Sequence, residues 1–118
     1  MNIQISETAD KIRNSIRALA NPVRAQQEQR YLKNTINCLG TGIPALEKIE
    51  KSIWIEVKDD WCLKDAMELV QNLIQDKVFE FTQIGLKFLG RYADQMGQDE
   101  LLVFEKWIEA DLLDNWAA

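Results

Sequence analysis

Histidine is absent from all 118 residues. That excludes Ser-His and Cys-His nucleophilic pairs and any imidazole-ligated zinc site. Cysteine is nearly as scarce. Cys38 and Cys62 are the two in the chain, they show no metal-ligand spacing, and both read as reduced, half-buried thiols. No metal and no cofactor is expected. Proline occurs twice, as Pro22 and Pro44, each where a helix can begin and an amide would go unpaired anyway. The longest uninterrupted apolar run is Leu101 to Phe104, far too short to cross a bilayer. Met1 to Asp10 has no basic stretch followed by an apolar one, so no secretory signal is read and the expected location is cytoplasmic. Strand-like alternation is missing throughout.

What is present is helical periodicity. Ile5, Ala9, Ile12, Ile16 and Leu19 make one apolar stripe with Lys and Arg between them, and with Ser6 as cap they predict a helix over about 6–19. A second helix is expected to open at Asn21-Pro22, where Asn caps free amides, and to close at Leu39-Gly40, where Gly takes the left-handed conformation. Its middle, Gln26 to Arg30, is almost wholly polar and cannot lie inside a core; Tyr31, Leu32, Ile36 and Leu39 then return to helical spacing. Ala45, Leu46, Ile49, Ile53 and Val57, widened by Trp54, mark a third helix. Asp59-Asp60 punctuates and caps a fourth that carries Leu63, Ala66, Met67, Val70, Leu73 and Ile74.

Asp76 is expected to cap a fifth helix that is apolar on two sides. Val78, Phe81, Gly85, Phe88 and Tyr92 form one face, and Phe79, Leu86, Leu89 and Ala93 the other. Such a helix lies between neighbours, and Gly85 and Gly90 would allow close contact there. After Met96-Gly97, a sixth helix presents Leu101, Phe104 and Ile108, with Val103 and Trp107 beside them. Trp54, Trp61 and Trp107 all read as packing. Six helices joined by short turns predict a single all-α domain, 1–118, built of stacked antiparallel pairs. An irregular bundle is the alternative, because no internal repeat is visible.

The formal charge of −5 argues against indiscriminate binding to nucleic acid, but it is unevenly placed. Residues 1–58 carry nine Lys+Arg and six Asp+Glu, a net +3; residues 59–118 carry five and thirteen, a net −8. Lys11, Arg13, Arg17, Arg24, Arg30 and Lys33 are expected to form one basic surface over the first two helices, the plain alternative being a solvated face of ordinary helix charges.

Several short stretches stand in a recognisable order: Ala20-Asn21-Pro22, Arg24-Ala25, Tyr31-Leu32-Lys33-Asn34, Leu39-Gly40, Phe79-Glu80-Phe81, and Asp114-Asn115-Trp116-Ala117-Ala118. In order and rough spacing the chain resembles the DNA alkylation repair family, the AlkD-like DNA glycosylases. The resemblance implies a HEAT-like α-solenoid fragment, the N-terminal half of a longer helical-repeat protein, whose concave face grips duplex DNA. It implies hydrolysis of the N-glycosidic bond of cationic alkylated purines, 3-methyladenine and 7-methylguanine. By motif position Trp116 matches the family's active-site Trp and Tyr31 its cleft Tyr, while Arg24, Arg30, Lys33 and Asn34 fall where DNA contacts are expected. Lys33 and Asn34 read equally well as a solvated turn of helix, and Trp116 as a core aromatic. Glu80 reads as a structural group held by helix-start amides or a neighbouring base, and Asp111 and Asp114 as helix caps.

The resemblance departs at its most important residue. The family's catalytic Asp follows the Trp by one helical turn and is expected beyond Ala118; Ala117 also stands where the family often has Asp. A non-catalytic helical-repeat module binding a protein or DNA partner is therefore the second reading. Leu112, Leu113 and Trp116 are expected to be exposed or covered by another copy of the chain, because terminal repeats need a polar cap. With no carboxylate to stabilise the departing sugar, the 118 residues are expected to release no 7-methylguanine from methylated duplex DNA in a base-release assay.

Overall fold

Apolar residues on two sides of one helix leave it no place on the outside of the molecule. The computed structural model describes residues 4–31 and 37–110, with the backbone alone for Glu28, Gln29 and Tyr31. In it α5 (Phe79–Gly90) packs on α4 (Leu63–Ile74), α3 (Ile43–Val57) and α1 (Ile5–Ala18). Phe81, Ile84, Phe88 and Leu89 are buried along it, facing a stripe of Ala66, Leu69, Val70, Leu73 and Ile74 on α4 that is fully closed to solvent. Ile12 and Ile16 of α1 and Leu46, Ile53 and Val57 of α3 complete this core. Among the described residues there is no strand, and a single isolated bridge joins Asn37 to Val78. The expectation of an all-α chain is met.

Aromatic rings close one end of the core. Phe88 has Trp54, Trp61 and Tyr92 around it at centroid distances of 6.1, 5.8 and 5.7 Å, mostly edge to face. Trp61 and Trp107 are buried and Trp54 is half-buried, so their reading as packing residues holds. Beside them sits a charge that periodicity did not reveal. Glu50 lies in the α3 stripe and is 1% exposed. Arg91 meets it through two bonds, Nε to Oε2 at 2.5 Å and Nη2 to Oε1 at 2.8 Å. The same guanidinium stands 5.1 Å from the centre of the Trp54 ring. The hydrogen bond to Glu50 holds Arg91 above its ordinary pKa, and this bidentate contact joins α3 to the end of α5.

Several local expectations are corrected. The second helix, α2, covers Pro22–Tyr31 and does not run to Leu39. Residues 38–40 are irregular, and Gly40 takes its positive φ of 76° in a loop, not at a helix end. Ser6 lies inside α1, whose cap position is Gln4. Asp59 and Asp60 sit in the turn after α3. The cap position of α4 is Cys62, where Asp65 reaches back to the Cys62 N–H at 3.0 Å. Asp76 accepts from Arg13 while Val78 precedes α5, so Asp76 caps nothing. Cys62 is exposed and Cys38 alone is half-buried. A Cβ on Gly85 would make ordinary contact with Leu73 and Val70 at 3.5 and 3.6 Å, and one on Gly90 would meet nothing, so neither glycine is demanded by packing. Tyr92 and Ala93 lie past the end of α5, Tyr92 in a turn and Ala93 at the start of a short 3-10 helix, Ala93–Gln95.

The sixth helix, α6 (Gln98–Glu109), is turned from the expected face. Trp107 enters the core with Val103 and Phe104 against it, whereas Leu101 and Ile108 are 58% and 53% exposed. One large indole buries more surface than two aliphatic side chains at the margin, and it sets the rotation of the helix. Trp107→Ala is expected to destabilise the fold by about 3 kcal/mol, as buried aromatics do. Ile108→Ala should change it by less than about 0.5 kcal/mol. Urea denaturation of both variants measures the contrast.

Candidate functional site

The first turn of α2 is built from the residues around it. Asn21 Oδ1 accepts the N–H groups of Val23 and Arg24 at 3.0 and 3.1 Å, and Pro22 takes the first helical position. The Asn21 N–H donates to the Leu39 carbonyl at 2.9 Å, and the Ala25 N–H returns to the Asn21 carbonyl at 2.8 Å. Gly40 is pressed against this turn. A Cβ there would stand 2.1 Å from Asn21 O and 2.7 Å from Ala25 N, on a backbone with φ of +76°. No residue but glycine fits. The Cys38 thiol donates to the Ala25 carbonyl at 3.2 Å from the same side.

The loop that carries Gly40 is itself held by a carboxylate. Glu80, 1% exposed in the first turn of α5, accepts the amides of Leu39 (2.9 Å), Gly40 (2.9 Å) and Thr41 (3.3 Å). The structural reading of Glu80 is met in kind, although its amides belong to the loop before α3 and not to its own helix. Thr41 Oγ1 donates to the Ile16 carbonyl at 2.7 Å and so ties the loop to the last turn of α1. Phe79 N–H donates to the Asn37 carbonyl at 2.7 Å. Asn21, Gly40 and Glu80, far apart in sequence, thus meet at one junction.

Beyond the junction, the described side chains of α2 are exposed at Val23, Arg24, Gln26, Gln27 and Arg30 and half-buried at Ala25. Arg24 lies across Gly42, where a Cβ would come within 1.9 Å of its Nη1. Arg30 is six residues on, about 120° round the helix from Arg24. Tyr31, at the last position of α2, returns to the angular position of Arg24. Among the described residues neither arginine has an ion-pair partner. Lys33, Asn34 and Trp116 lie outside the described residues, as do Leu112 and Leu113.

Among the described residues, ion pairs occupy part of the expected basic surface. Lys11 pairs with Glu56 of α3. Arg13, its side chain 13% exposed, donates to Asp76 Oδ2 and to the Asn72 carbonyl, both at 2.8 Å, and to Asp10. Arg13 and Arg17 also flank the Phe81 ring, 5.8 and 5.4 Å from its centre. Arg13 is therefore bound into the fold and Lys11 is paired at the surface, while Arg17 on α1 and Arg24 and Arg30 on α2 are exposed without an ion pair among the described residues. Elsewhere, an open groove between α4 and α6 of about 450 Å³ is lined by Leu63, Met67 and Val103 with Glu68, Asp99 and Glu100 at its rim. That rim repels a polyanion. The Tyr92 phenol is pushed above its ordinary pKa by burial first and then by Asp65 and Cys62; it belongs to the aromatic end of the core, away from α2. Among the described residues no metal-ligand cluster occurs, and no helix is long and apolar enough to cross a membrane.

A family model described as DNA alkylation repair enzyme matches residues 12–118, most of the chain. No curated protein and no solved structure matches it.

The capping role of Asn21 has a direct test. Asn21→Ala is expected to destabilise by about 1 kcal/mol, the usual loss for a cap. Amide hydrogen exchange should quicken first at Val23 and Arg24, whose N–H groups lose their acceptor.

Proposed function

Because the chain belongs to the DNA alkylation repair enzyme family, we propose that it grips alkylated duplex DNA through α2 and acts in N-glycosidic hydrolysis of cationic purines. Membership brings a role in DNA repair and DNA as partner. The observation that carries the finer reading is α2 itself. This helix is fastened at its first turn, has none of its described side chains in the core, and presents Arg24 and Arg30 to solvent. Exposed arginine on a projecting helix suits phosphate, whose two oxygens match the guanidinium fork. The net negative charge of the protein, carried by residues 59–118, favours one docking side over indiscriminate coating.

The reaction asks little of the protein beyond placement and charge. A 3-methyladenine or 7-methylguanine base already carries a positive charge and leaves without a strong general acid. The group that must be stabilised is the cationic sugar, and a carboxylate does this electrostatically. Tyr31 and Trp116 would hold the cationic nucleotide against their ring faces, an interaction worth about 1–2 kcal/mol. In this reading the 118 residues supply the DNA-gripping side and the aromatic wall, as part of a HEAT-like stack. None of these steps needs histidine.

Fluorescence anisotropy with a duplex containing 7-methylguanine tests the interface. Arg24→Gln and Arg30→Gln should each weaken binding and lower the slope of log affinity against log salt by about 1, the signature of one lost phosphate contact. Unchanged slopes in both variants would exclude α2 as the interface. Base release, measured on the 118 residues and on any longer chain the gene encodes, separates hydrolysis from binding alone. Release that Trp116→Ala abolishes and Trp54→Ala spares assigns the wall to Trp116.

A further inference from the structure

We infer that Glu80 is the positioning residue of the DNA-gripping helix: a buried carboxylate, remote from α2 in sequence, fixes where α2 stands. A carboxylate closed to solvent must be supplied with donors. Glu80 has three, all backbone amides of consecutive residues, Leu39, Gly40 and Thr41. No ion pair to it is seen among the described residues. Its charge is balanced by oriented N–H groups, in the manner of an anion in a backbone nest. The nest therefore stays in one conformation only while an anion fills it.

The consequence runs through Gly40. The left-handed backbone that Glu80 holds presses Gly40 onto Asn21 O and Ala25 N, and Leu39 O receives the Asn21 N–H. Among the described residues these are the contacts that fasten α2, whose described side chains are exposed apart from half-buried Ala25. None of those side chains belongs to the core made by α1, α3, α4 and α5. Loss of the Glu80 carboxylate should therefore displace α2 and its arginines well before it melts the core.

This inference rests on the reading of α2 as the DNA-facing helix, and the experiment separates the two. Glu80→Gln keeps the size but turns an NH₂ donor toward amides that are donors already. Gly40→Ala disturbs the same seat from the other side and leaves Glu80 intact. Thr82→Val, buried in the same helix with an unpartnered hydroxyl, is the control. Amide exchange should quicken at Val23, Arg24 and Ala25 in both test variants and remain slow at Leu69 and Phe88. Binding of a methylated duplex should weaken about tenfold, the loss typical of charge-assisted hydrogen bonds. In the Glu80→Gln background, adding Arg30→Gln should cost less than it does in the wild type, because a displaced arginine has little left to lose. Wild-type exchange in the first turn of α2, or strict additivity with Arg30→Gln, overturns the inference. If Glu80→Gln fails to fold, Gly40→Ala decides by the same readouts. If the wild-type protein binds no duplex, the DNA reading fails, and the exchange pattern alone still decides whether Glu80 positions α2.

Discussion

A carboxylate sealed from water imposes stricter terms on its surroundings than any apolar residue does. Glu80 has to find donors within the protein, and each hydrogen bond to a charged group contributes about 1.5–3 kcal/mol. It finds them in the backbone of residues 39–41, in the loop before α3. From that contact the connections of the N-terminal half follow. Thr41 is placed to tie off the end of α1, Gly40 to seat the start of α2, and the chain to enter α3 at Gly42. The apolar core forms by burial of the stripes of α1, α3, α4 and α5. The placement of α2 does not follow from that core, since none of its described side chains belongs to it.

The same distinction explains what was legible in the chain. Stripes repeating at three and four residues located five of the six described α-helices and nearly every buried aliphatic side chain, because helical burial is written in nearby residues; the start of α2 was legible from Asn21-Pro22 alone. Hydrogen bonds between distant residues are not written there. Asp76 looked like a helix cap and is instead an acceptor for Arg13, sixty-three residues away. Glu50 occupies a position of the α3 stripe between Leu46 and Ile53, and that break in pattern was the available sign of a buried charge; its partner, Arg91, lies outside any local window. The rotation of α6 was misjudged for a related reason. Counting apolar positions weighs Leu101 and Ile108 equally with Trp107, whereas buried area does not.

Among the stretches that carried the family resemblance, the structure separates two kinds of residue. Asn21, Gly40 and Glu80 converge at the junction, and each is demanded by geometry: a cap, a left-handed backbone against which no Cβ fits, and a filled nest. Arg24 and Arg30 are demanded by none of these things. A motif read as chemistry was therefore partly architecture, with the architecture serving to hold the chemistry. The two roles could not be told apart in the sequence, since Asn, Gly and Glu serve equally well in active sites and in turns.

Net charge misleads about this protein in two directions. A total of −5 suggests a poor ligand for DNA, and a count of six basic residues near the N-terminus suggests a broad positive face. Neither follows once partners are known. Lys11 and Arg13 are neutralised locally by Glu56, Asp76 and Asp10, so their field is that of a dipole and fades within a few ångströms. Arg24 and Arg30 have no such partner among the described residues, and their side chains are exposed. Because phosphate contacts displace counterions one by one, affinity depends on how many cations remain unpaired, whatever the total. In the reading proposed above, Arg24 and Arg30 are the cations left for phosphate, and the carboxylate of Glu80, itself closed to solvent, is the group that sets where they stand.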